Sequence, residues 1–181
     1  MRLRIKGVYL IIDYYFIAVL TLSLVVFRNE SILMCFAFCI LHELGHLTAM
    51  LLFRERVKKI TLGYFGMKIE CSGTIMPVLS ETVIAAAGPS VNLILAVLFY
   101  LLNLKTAVEI NIGLAVFNLL PVKPLDGGRI LSSFFSDRAM RTVGITVGIV
   151  LSFLGAATAI YTKSNFLILI VSLYVLIGAI K

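Results

Sequence analysis

The sequence predicts an all-α integral membrane protein of about six transmembrane helices, the fourth one broken, with a small cytoplasmic β-hairpin between spans two and three. Three observations lead there. Mean hydropathy is +1.08 and 61% of the 181 residues are hydrophobic, which excludes an ordinary soluble domain. Apolar runs long enough to cross a hydrocarbon core of about 30 Å recur six times. The basic residues fall mostly on one side of those runs. One polytopic domain, 1–181, accounts for the whole length.

Taken in order, the first span covers 8–27, with its apolar run at Leu10–Phe27. Arg2, Arg4 and Lys6 before it resemble the start of a signal peptide, but the run is long and no small-residue cleavage site follows, so the segment is expected to remain. The second span is Ser31–Phe53. Ile60, Leu62 and Tyr64, then Met67, Ile69 and Cys71, alternate around Phe65-Gly66, the pattern of a hairpin. Its exposed edge either accepts an added peptide strand or only caps the bundle. Spans three to six are expected at Thr82–Leu102, Ala107–Phe135 (interrupted), Thr142–Tyr161 and Asn165–Ile180. Six spans put both termini on one side.

Of the 16 Lys and Arg residues, all but Arg28, Lys105 and Lys163 lie on that terminal side. The positive-inside rule then makes the termini cytoplasmic, in a multi-pass cell membrane protein. The net charge of +7 is spread along one membrane face with no recognition motif, so nucleic acid is not an expected partner and acidic lipid of the bilayer is. Cys35, Cys39 and Cys71 form no CxxC pair and no complete disulfide framework. Cys39 shares a helical face with His46, but a free cysteine in an apolar helix usually serves as a small hydrophobe.

The second span contains His42-Glu43-Leu44-Gly45-His46, and these are the chain's two histidines. A helix advances about 100° per residue, so His42 and His46 point the same way and two imidazoles can grip one Zn²⁺ beside Glu43. The alternative is a pair of packed helix histidines, yet ionisable residues at this depth cost about 2.5–3.5 kcal/mol each and generally mark function. A catalytic zinc site usually has three protein ligands. With no third histidine, the candidates are thiolates and the nine acids. Asp13, Glu30 and Glu109 lie at span edges, Glu55, Glu70, Glu81 and Asp137 lie in cytoplasmic segments, and Glu43 is already committed beside the ion, which leaves Asp126. At 1.5 Å per residue, His46 lies about 22 Å below the outer edge and Leu120 of the inward-running fourth span about 20 Å below it. Pro121 and Pro124 break the helix there, and Gly127-Gly128 relaxes the turn. Broken backbone at membrane depth belongs in protein or beside a wet cavity. An Asp-Gly turn in a cytoplasmic loop is the competing reading of Asp126.

His42-Glu43-Leu44-Gly45-His46, Ala87-Gly88-Pro89-Ser90-Val91-Asn92, and Asn118 to Gly128 with its Leu-Asp-Gly-Gly core resemble, in order and spacing, the three signatures of the site-2 protease family of intramembrane zinc metalloproteases. The six-span plan is similar to the branch that includes the stage IV sporulation protease, which releases a membrane-associated sigma-factor precursor. Members of that branch commonly carry a C-terminal CBS domain. This chain stops at Lys181, so regulation is expected from partner membrane proteins, or from a module that has been lost.

The resemblance implies a zinc metalloendopeptidase, one Zn²⁺ per chain, acting on a membrane-anchored protein. Its catalytic core would be about 31–135. His42, His46 and Asp126 would hold the ion, and Glu43 would take a proton from water and pass it to the departing amine. Asn92, near mid-membrane, reads equally as an interhelical hydrogen-bonding residue. Asn118 and Pro124 would shape the site or contact substrate, although Asn118 could equally tie loose backbone near Pro121. A membrane metal transporter predicts polar residues spread through several spans and an internal repeat, neither of which is present. A non-catalytic membrane scaffold predicts the loss of Glu43 or of a ligand, and all four positions are intact.

Overall fold

The computed structural model describes residues 2–5, 8–14, 21, 30–55, 57–63, 66–71, 77–123, 125–162 and 176. They form two compact units, Met1–Ala115 and Val116–Lys181.

The first unit contains a four-stranded sheet of order β1-β2-β3-β4, so the protein is mostly helical rather than all-α. Strand β1 (Arg2–Ile5) pairs antiparallel with β2 (Val8–Ile12). β2 then pairs in parallel with β3 (Val57–Gly63), Tyr9 lying opposite Lys59. β3 pairs antiparallel with β4 (Gly66–Cys71), with an irregularity between Val57 and Lys59. The alternating runs read as a hairpin thus form half of a larger sheet whose outer strands are β1 and β4. Val8–Ile12 was expected to open the first span and is a strand instead. Its Val, Tyr and two Ile residues favour a pleated surface, and a short apolar run looks the same in a strand as at the start of a span. Most of that expected span lies outside the described residues, as does the sixth apart from Leu176.

Among the described residues, three helices are long and apolar enough to cross a membrane: Glu30–Leu52, Val78–Leu101 and Asp137–Ala157. Helices α1 (Glu30–Leu52) and α2 (Val78–Leu101) belong to the first unit. Both end in the same way. Arg54 and Asn103 take left-handed backbone (φ 58° each), which lets Glu55 N–H donate to Met50 O at 2.9 Å and Leu104 N–H to Phe99 O at 2.9 Å. This reversal satisfies carbonyls that a helix end leaves open. Phe38 and Phe99 bring their rings to 5.3 Å between α1 and α2, and Ala49, Met50 and Ile84 pack with Val57 and Ala87. The opposite face of α2 exposes Leu93, Ile94, Val97 and Leu101, as suits lipid contact. Thr48, Thr82 and Ser90 turn their hydroxyls back to carbonyls one turn earlier, so none needs water within an apolar layer.

Helix α3 (Lys105–Asn118) ends three residues before Pro121. Backbone bonds from Leu120 to Phe117 and from Leu125 to Val122 carry the chain to α4 (Asp126–Ser132), and α5 (Asp137–Thr162) follows. In this second unit Val122 is fully buried and packs with Leu125, Phe117, Leu120 and Ile145. Gly127 and Gly128 were expected to relax a turn. They are helical, and their lack of a side chain serves close approach: a Cβ on Gly127 would overlap the Leu119 carbonyl oxygen, and one on Gly128 the Val122 carbonyl.

Candidate metal centre

Helix α1 sets His42 and His46 one turn apart on a single face, both buried. Their rings meet edge to face at 84°, and the two Nε2 atoms stand 3.1 Å apart. The Nδ1 atoms point elsewhere. His46 Nδ1 donates to the Ile84 carbonyl at 2.7 Å, and His42 Nδ1 donates to Asn92 Oδ1 at 2.6 Å. Asn92 Nδ2 donates to Asn111 Oδ1 at 3.0 Å, and Asn111 Nδ2 donates to the Ala107 carbonyl at 2.8 Å. Asn92 and Asn111 have no exposed surface.

A neutral imidazole that donates from Nδ1 keeps a lone pair on Nε2. Two such lone pairs facing each other at 3.1 Å repel unless a cation lies beside both. Nitrogens bound to a tetrahedral zinc at about 2.0–2.1 Å stand about 3.3 Å apart, close to the separation observed. Histidine ligands also commonly hold their second nitrogen in a hydrogen bond of this kind. The donor set therefore fits zinc. Gly88 completes the arrangement, because a Cβ there would overlap the Nε2 atoms of both histidines.

Glu43 follows His42 directly and is half-buried. In the second unit, Asp126 is the first residue of α4 and is 6% exposed. A carboxylate is favoured at a helix N-terminus, and Arg129 Nη1 lies 3.7 Å from its Oδ1. The aspartate therefore opens a helix and does not sit in an Asp-Gly turn. His42 and His46 are thus buried within the first unit and Asp126 within the second.

Three comparisons bear on the chain as a whole. The sequence profile of Peptidase family M50 matches residues 103–162. The chain is 26% identical to a zinc metalloprotease of Methanocaldococcus jannaschii, over 85% of this chain and 49% of that protein. It is 28% identical to stage IV sporulation protein FB of Bacillus subtilis, over 65% of this chain and 44% of that protein. Its fold is similar to the solved structure of the site-2 protease from Methanocaldococcus jannaschii, with a TM-score of 0.68 and 26% identity over 99% of this chain and 93% of that one. The chain thus resembles peptidase family M50 in that segment and the site-2 protease in its fold. It spans about half the length, or less, of the curated relatives it matches.

In this chain Asn118 is the last residue of α3 and half-buried, while Pro124 lies outside the described residues. Cys35 and Cys39 are free thiols. Asn92, read from sequence as either an interhelical or a catalytic residue, links His42 to a third helix. The sequence reading did not single out Asn111. A signal for it existed, since an amide between Ile110 and Ile112 is out of place in an apolar run.

Proposed function

We propose that this chain is an intramembrane zinc metalloprotease that hydrolyses a peptide bond in or near the transmembrane segment of a membrane-anchored protein. The observation that carries the reading is the buried imidazole pair, with Nε2 atoms 3.1 Å apart and both Nδ1 atoms bonded to oxygen acceptors. His42, His46 and Asp126 hold the ion. When bound, zinc supplies a Lewis acid for the scissile carbonyl and lowers the pKa of water. Glu43 accepts the proton of the attacking water and returns it to the amide nitrogen as the C–N bond breaks. Asn92 orients His42, and Asn118 and Pro124 shape the substrate path. No covalent link to the enzyme forms.

The wider setting proposed is a six-span cell membrane protein with cytoplasmic termini and its catalytic core at about 31–135. The substrate class is a membrane-tethered transcription-factor precursor, such as a sigma-factor precursor, or its regulator. Companion membrane proteins control substrate entry. The test measures bound zinc and cleavage of a membrane-anchored substrate for the native chain and Glu43→Gln. The expected result is full zinc retention with cleavage reduced by about 10²-fold or more, the usual contribution of a general base. Unchanged cleavage in the variant would overturn the proposal.

A further inference from the structure

The hydrogen-bonded chain behind His42 has a fixed direction, and a residue on α3 sets it. The Ala107 carbonyl can only accept, so the Asn111 group facing it at 2.8 Å is the Nδ2 donor. Oδ1 of Asn111 is then turned to Asn92, which must present Nδ2 to it at 3.0 Å. That leaves Asn92 Oδ1 for His42, so His42 Nδ1 carries the hydrogen and Nε2 carries the lone pair. A different orientation of either amide would put two donors or two acceptors face to face where both asparagines are fully buried, at the cost of unsatisfied buried polar groups. His46 does not depend on this chain, because its Nδ1 meets the Ile84 carbonyl directly.

We propose that Asn111 is a positioning residue which, through Asn92, locks His42 in the Nδ1–H tautomer and so turns its Nε2 lone pair towards the metal. The proposal rests on the reading of His42 as a zinc ligand, but the tautomer itself is measurable without metal. The chain has two histidines, so a ¹⁵N-histidine-labelled sample in lipid contains four imidazole nitrogens. In the metal-free native chain both rings are expected to keep their Nδ1 hydrogens, held by Asn92 Oδ1 and Ile84 O, while the facing Nε2 atoms draw apart. Asn111→Leu keeps the bulk and removes the amide. His42 then divides between the two tautomers while His46 keeps its pattern, and zinc affinity, measured by chelator competition, falls about tenfold, the lower end for loss of an outer partner.

Asn111→Asp is the rescue. Burial favours its neutral form, whose hydroxyl donates to Ala107 O while its carbonyl accepts from Asn92. His42 should return to Nδ1–H, with zinc affinity near native. A purely space-filling role for Asn111 gives the reverse order, with Leu tolerated and Asp harmful, and that outcome overturns the proposal. So does a His42 that stays wholly Nδ1–H in Asn111→Leu. If Asn111→Leu does not fold, as the His46 signals reveal, Asn111→Asp decides: Nδ1–H at His42 upholds the lock and Nε2–H overturns it. A native chain that takes up no zinc while its tautomers respond as described defeats the protease reading and leaves the lock standing.

Discussion

At Gly88 a hydrogen atom is all the site can admit. The two imidazoles lie so close over this position that any Cβ would occupy the space of their Nε2 atoms. Gly88→Ala should therefore displace one or both rings. The expected result is a fall in zinc affinity of at least about tenfold, in line with the loss of ligand support, with helical content unchanged by circular dichroism; native zinc uptake in the variant would contradict this geometry. The histidine pair was legible in the sequence because helical spacing alone brings positions i and i+4 together. Asn111 was not, because its role depends on Asn92, nineteen positions earlier, and on a backbone carbonyl. Only folding brings those atoms together, and no periodicity reports them.

The elements were legible in proportion to how local their causes are. Pro121 and Pro124 announced the end of α3, and α1 and α2 stop within a residue of the expected Phe53 and Leu102. The restart of a helix at Asp126 was less visible. Two successive glycines weaken helix propensity by about 1 kcal/mol each, and their packing against Leu119 and Val122 overrides it. Gly127→Ala should consequently destabilise the second unit by about 1–3 kcal/mol, as overpacking does. Thermal unfolding in lipid or detergent would read this as a lower midpoint, and an unchanged or raised midpoint would rule the close approach out. The N-terminal strands were missed although Arg2-Leu3-Arg4-Ile5 alternates. Charges before an apolar run gave the competing impression of a membrane-entry signal.

For the whole molecule, the helices owe their persistence to backbone hydrogen bonds that lipid cannot replace and to contacts such as Phe38 with Phe99. Such bonds do not involve a metal, so the fold is expected to stand without zinc, unlike a zinc finger. Chelation should abolish cleavage and leave helical content intact, with activity restored by added zinc; collapse of the helical signal on chelation would show the opposite. On the proposed cytoplasmic placement of the termini, a fluorescent reporter fused after Lys181 should be accessible from the cytoplasm alone, and access from outside would overturn that placement. The parallel pairing of β2 with β3 bears on how the chain is made. Tyr9 meets Lys59, with α1 between them in sequence. At a synthesis rate of about 5–20 residues per second, β2 waits about 2.5–10 s for its partner residues. A two-stranded ribbon is marginal alone, so the amino-terminal strands gain their full order only after the histidine-bearing helix has been made. Completion of the sheet therefore follows synthesis of the histidine-bearing helix.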